Sequence, residues 1–152
     1  MEKSPLAPDF VEFLRLLDAR NVDYLLIGGY AVGFHGHVRA AADLDIWIGP
    51  ELQNAGKIVT VLKEFGFDLP EIKPQIFLLK SRVVRLGEPP VQIEIFSSIL
   101  GVDFDECFSN RVISRWDKIT VSVIGREDLI LAKRASGRHL DLSDIEKLGG
   151  FE

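Results

Sequence analysis

Cysteine is nearly absent from this sequence: Cys107 stands alone among 152 residues. An internal disulfide is therefore excluded, and a reducing compartment is the natural setting. No apolar run approaches the ~18 residues that a membrane span needs. The opening Met1-Glu2-Lys3-Ser4-Pro5 has no basic stretch leading into an apolar one, so no signal peptide is expected. Basic charge is also short. Eighteen Lys and Arg against 23 Asp and Glu give a net charge of −5. A body of this sign is a poor general binder of phosphate backbones, which call for a basic face. The expectation is a soluble, cytoplasmic protein with no membrane partner, and with tRNA or other nucleic acid disfavoured as a partner.

What is present is ordinary for a globular chain: 47% apolar and 27% charged residues. The length fits a single domain over residues 1–152. Asp9 and Glu12 have capping-box spacing, and Phe10, Phe13, Leu14, Leu16 and Leu17 continue as an apolar helical stripe. Tyr24–Ile27 reads as a buried strand stopped by Gly28-Gly29, with a short helix from Tyr30 to about Phe34. Leu44–Ile48 is the next strand, and Leu52–Phe65 a helix closed by Gly66. Strands are expected at Gln75–Lys80, Arg82–Leu86, Val91–Phe96 and Lys118–Val123. The acidic run Asp103, Asp105, Glu106 looks like a helix start. Glu127–Ser136 is a helix closed by Gly137, and Ser143–Leu148 a short terminal one. Strands both in succession and interleaved with helices imply an α+β fold with a small mixed sheet.

Asp43-Leu44-Asp45-Ile46-Trp47-Ile48 alternates strictly. Leu44, Ile46 and Ile48 share the core face; Asp43 and Asp45 share the other, roughly 6–7 Å apart at the Cα level. Strands ordinarily avoid Asp, and two carboxylates this close repel unless a cation or proton lies between them. Val91-Gln92-Ile93-Glu94-Ile95-Phe96 repeats the pattern. If it pairs beside the first strand, Glu94 joins Asp43 and Asp45. Such a cluster of hard oxygen donors suits Mg²⁺ or Mn²⁺, and two ions about 3.5–4 Å apart can clamp a phosphoryl displacement. The alternative is a solvated sheet face, which carries polar residues at the same spacing. Gly28-Gly29 follows a strand and opens a helix, a turn that lets phosphate approach the backbone. Its glycine spacing is not that of the dinucleotide fingerprint, and no P-loop lysine follows it.

Gly28-Gly29, thirteen intervening residues, then Asp43-Leu44-Asp45 resembles the signature of the DNA polymerase β-like nucleotidyltransferase superfamily. Gly28-Gly29-Tyr30-Ala31 through His35-Gly36, Arg39 and Asp43–Ile46 is similar to the small bacterial nucleotidyltransferase-like proteins. These include relatives of the AbiE-type toxin and of minimal nucleotidyltransferase antitoxins. Asp128–Lys133, Arg138, Asp141-Leu142 and Asp144-Ile145 are similar to the closing motif of that group.

The resemblance implies transfer of a nucleoside monophosphate from an NTP to a hydroxyl, with Mg²⁺ or Mn²⁺ as cofactor. By the same resemblance Asp43 and Asp45 ligate both ions. Glu94 ligates one and helps deprotonate the acceptor. Gly28 and Gly29 hold the triphosphate, and Arg39 and Lys133 contact phosphate oxygens. The turn carries Gly29 where the family often has Ser, and the third acid is Glu94 where Asp is common. The length suggests that acceptor capture involves a small helical protein partner or a homodimer. A non-catalytic antitoxin or regulator is the alternative function, and a small-molecule modifier similar to aminoglycoside nucleotidyltransferases is a third.

Other residues read as structural. His35 and His37 lack further ligands at metal-site spacing, and His139 reads as a surface residue. Cys107 reads as a small buried apolar residue. Ser97-Ser98 lacks the glycines of a nucleophile elbow. Trp47 shares the carboxylate face and is expected to be an aromatic covered by a neighbouring element. Lys133 on its helix would by default be solvated.

Overall fold

The computed structural model describes residues 8–36, 43–116, 118–137, 145, 146 and 148. Helix α1, Pro8–Ala19, begins with a proline whose missing N–H costs nothing in a first turn. Asp9 lies inside that turn, and the Glu12 carboxylate accepts from Arg15 Nε at 2.9 Å. An i,i+3 pair thus stands where a capping box was expected. Phe10, Phe13, Leu14 and Leu17 form the buried stripe.

Strand β1, Tyr24–Ile27, passes directly into helix α2, Gly28–Phe34, two residues earlier than expected. Strand β2 is Asp43–Ile48 and helix α3 is Leu52–Phe65, ended by Gly66 in the left-handed region at φ 116°. Buried Asn54 on α3 accepts from Asp23 N–H at 2.8 Å. It donates to the carbonyls of Asp23 at 2.9 Å and Gly49 at 3.2 Å. One satisfied amide thereby ties the helix to the ends of β1 and β2.

The expected strand at 75–80 is instead a 3₁₀ turn, Pro74–Leu78. Pro74 suits its first position, and the turn buries Phe77 while leaving Leu78 and Leu79 outside. Strands β3, Val83–Glu88, and β4, Val91–Phe96, form a hairpin. Helix α4, Phe104–Ser109, is capped by Asp103, whose side chain accepts from Glu106 N–H as the acidic run implies. Strand β5, Val112–Trp116, was not expected. It pairs antiparallel with β6, Ile119–Val123. Helix α5, Arg126–Ser136, ends at Gly137 with φ 66°.

The six strands run in the order β3-β4-β2-β1-β6-β5. Pairs β1–β6 and β2–β4 are parallel; β1–β2, β3–β4 and β5–β6 are antiparallel. The sheet is mixed and the fold is α+β. Leu44, Ile46, Ile93 and Ile95 are fully buried on its core face. Helix α1 packs on α3 and β6, and α2 packs on β1 and β2. The other side of β2 bears the half-buried Asp43 and Asp45 and, further along, the buried Trp47.

Candidate active site

The parallel pairing of β2 with β4 sets Asp45 opposite Glu94 and Asp43 opposite Gln92. All three acids are half-buried, and one carboxylate oxygen from each lies within 4.8 Å of the others. Hard oxygen donors on two rigid strands fit a small divalent cation such as Mg²⁺ or Mn²⁺. The solvated-face alternative does not account for Glu94, whose side chain is only 13% exposed.

Two neighbours shape this cluster. Arg85 on β3 is the antiparallel partner of Glu94 and donates from Nε to Oε1 at 3.0 Å. Gly28 opens α2 with φ +70°, a left-handed value that favours glycine. A Cβ placed there would lie 2.2 Å from Asp45 Oδ2 and 2.9 Å from its Cβ. The glycine turn is thus pressed directly onto the aspartate. Tyr30 follows in the same turn. Its phenol is pushed up by partial burial and then by the charge of Asp43.

Beside this cluster opens a cleft of about 890 Å³. Gly28, Asp45, the segment Ile99–Val102 and residues of helix α5 are among its lining. Gly101, at φ +85°, seats the segment on α5; a Cβ there would meet the Ala135 Cβ at 2.4 Å. Lys133 projects from α5 into the lining and is 7% exposed, so the default solvated lysine does not hold here. Gly28, Asp43, Asp45, Glu94 and Lys133 are thus brought to one region. Gly29 follows Gly28 in the first turn of α2. Arg39 lies outside the described residues, as do His37, Arg138, His139, Asp141 and Asp144.

The remaining candidates have structural work. His35 Nε2 is 2.7 Å from the Ile124 carbonyl and ties the end of α2 to β6. Trp47 is buried and meets Phe104 edge to face at 5.2 Å, so it supports α4. The hydroxyls of Ser97 and Ser98 accept from the N–H groups of Arg82 and Ser81 at 2.9 and 2.8 Å, latching the start of β3. Cys107 borders the cleft as a buried neutral thiol. Burial first, then the carboxylates of Asp128, Asp103 and Glu106, pushes it up to about 12.

Arg85 escaped sequence reading because an arginine on a half-exposed strand carries no signal of its own. Only the β3–β4 register reveals its partner.

A family model described as "Nucleotidyltransferase of unknown function (DUF6036)" matches residues 9–149. The chain belongs to this family. Its fold agrees. The structure of the lincosamide antibiotic adenylyltransferase LnuA, bound to lincomycin, is similar with a TM-score of 0.60 and 17% identity. That match covers 95% of this chain and 96% of LnuA. A nucleotidyltransferase-like protein from Paracoccidioides brasiliensis gives 0.52 and 17% identity, over 95% and 76% of the two chains. A structure from Thermotoga maritima gives 0.55 and 18%, over 95% and 91%. At these identities the likeness concerns the fold. No curated protein matches the sequence.

Proposed function

We propose that this member of the nucleotidyltransferase family transfers a nucleoside monophosphate from an NTP to a hydroxyl acceptor. The observation that carries the reading is the convergence of Asp43, Asp45 and Glu94 within 4.8 Å, with Gly28 packed on Asp45. Asp43, Asp45 and Glu94 would hold Mg²⁺ or Mn²⁺, which supplies charge stabilisation for the phosphoryl oxygens. The backbone of Gly28 and Gly29 receives the triphosphate where a side chain would block it. Lys133, and Arg39 by the family resemblance, neutralise phosphate oxygens. Glu94 accepts the acceptor's proton as its oxygen bonds to the α-phosphorus. The bond from that phosphorus to the α,β-bridging oxygen breaks, and pyrophosphate leaves.

A small hydroxyl compound is the acceptor we favour. The cleft falls in the usual range of small-molecule sites. LnuA, an adenylyltransferase of a lincosamide antibiotic, is matched over nearly its whole length. A core of this size therefore suffices for such a substrate. A toxin–antitoxin setting with a helical partner or homodimer is the second reading, carried by the family resemblance, and a cytoplasmic location follows from the need for NTPs.

Thermal unfolding with each of the four NTPs, with and without Mg²⁺, tests the reading without knowledge of the acceptor. A ligand at ~100 times its Kd stabilises by about 2.7 kcal/mol, a shift of several degrees at this size. A Mg²⁺-dependent shift with an NTP, lost in Asp43→Asn/Asp45→Asn, is expected. No shift with any NTP overturns catalysis and favours the partner-binding reading.

A further inference from the structure

We infer that Arg85 is the resident counter-ion of Glu94 in the carboxylate cluster and competes with the divalent cation for it. The inference rests on the metal-binding reading of Asp43, Asp45 and Glu94, and extends it to a residue outside the ligand set.

The argument starts from charge. Asp43, Asp45 and Glu94 lie within one small volume. Like charges at such distances raise one another's energy unless a cation is close. An ion pair that reaches this cluster comes from Arg85. Its Nε lies 3.0 Å from Glu94 Oε1. The register brings the two side chains together, because Arg85 and Glu94 are direct partners across the β3–β4 hairpin. Opposite charges at such positions attract and like charges repel.

The two partners differ in freedom. The Glu94 side chain is 13% exposed, whereas Arg85 is 65% exposed and stands on β3, the last strand at its edge of the sheet. The carboxylate is therefore held by its surroundings while the guanidinium can swing into water. A long cationic side chain that rests on a half-buried carboxylate and can leave it suits a stand-in. It stabilises the cluster before the divalent ion binds and opposes the ion through like charge. Removing it has two linked effects: the cation-free protein loses stability, and the cluster attracts a divalent ion more strongly. A side chain that merely positioned Glu94 as a ligand would act in the opposite sense on binding.

The test uses Mn²⁺ and no nucleotide. Mn²⁺ affinity is measured by electron paramagnetic resonance of the free ion, and unfolding is followed in chelator and in excess Mn²⁺. Arg85→Gln is expected to bind Mn²⁺ about threefold to fivefold more tightly than wild type, the upper part of the range for a screened ion pair. Its melting temperature falls in chelator and is largely restored by Mn²⁺. Arg85→Lys, which keeps the charge, stays within about twofold of wild type. Arg15→Gln removes one positive charge from the α1 pair with Glu12 and controls for net charge; it leaves Mn²⁺ affinity unchanged. Should Gln at 85 prevent folding, Arg85→Thr, a better strand former, carries the same expectation. Equal or weaker Mn²⁺ binding by the folded neutral variant overturns the role of Arg85 alone. Failure of wild type itself to bind Mn²⁺ overturns the metal reading and this inference together.

Discussion

Gly28 and Asp45 are fitted to each other so closely that a single methyl group at position 28 would stand 2.2 Å from the aspartate oxygen. The glycine is required twice, by its φ of +70° and by that contact. Gly28→Ala is expected to lower the melting temperature by about 2–8 °C, from a left-handed alanine costing roughly 1–2 kcal/mol. It also displaces Asp45, so the Mg²⁺- and NTP-dependent shift disappears. Unfolding scans with and without both ligands give the answer; an intact ligand shift would show that the turn is not part of the site.

On the metal-binding reading proposed above, the acid cluster costs the fold stability when no cation is bound. Asp43→Asn and Asp45→Asn should each leave the melting temperature in chelator unchanged or slightly raised, since a like-charge contact is removed. Both lose most of the stabilisation that saturating Mg²⁺ gives wild type. A marked loss of stability in chelator would identify these residues as structural instead.

Lys133 is buried at the cleft wall, where a charged ammonium is unusual without a functional or paired role. Lys133→Met keeps the apolar stem and removes the charge. The expected outcome is a folded protein whose Mg²⁺-dependent NTP shift falls by more than half. Calorimetric titration with the NTP that stabilises wild type measures the corresponding loss in affinity, and undiminished binding removes Lys133 from the site.

Cys107 provides a pH prediction. Its thiol is pushed up to about 12 in the folded protein, above its ordinary value, by burial first. Between pH ~9 and 12 the unfolded chain loses this proton while the folded chain keeps it, so stability declines as pH rises through that window. Tyr24, pushed up to about 12 chiefly by burial, adds to the decline from about pH 10. Cys107→Ala should flatten the earlier part of the curve. In native protein at pH 8, iodoacetamide should label Cys107 only as fast as the molecule opens, and rapid labelling would contradict the buried thiol.

Trp47 tests the covered face of the sheet. Trp47→Ala removes the edge contact with Phe104 and leaves a large void, a loss of about 3–5 kcal/mol. Denaturant unfolding should show the midpoint falling accordingly. A change below ~1 kcal/mol would mean that the ring is not packed as described.

How far the sequence could be read follows from where side-chain periodicity carries information. Strict alternation placed Asp43, Asp45 and Glu94 on one face, and the β2–β4 register confirmed the shared position. Glycine stops marked the ends of α3 and α5 because both require φ > 0. Apolar content alone misled at 75–80, where Pro74 directs a 3₁₀ turn. Strand β5 was hidden because it is an edge strand, with Ile113 and Arg115 outward and little apolar alternation to betray it. The cleft was equally illegible. Its walls come from α5 and from a segment held by the contact of Gly101 with Ala135, a pairing that local pattern does not encode.

The parallel pairing of β2 with β4 has a consequence for how the molecule assembles. Neighbouring strands in a hairpin can meet early, but these two are separated in the chain by α3, the 3₁₀ turn and β3. Their contact closes a long loop, the kind of event that slows folding. Asp45 and Glu94 therefore cannot approach one another in any fragment that holds only one side of that loop. Cation binding should appear late in refolding, together with the full sheet, and the newly made chain would stay chemically silent until its fold is complete.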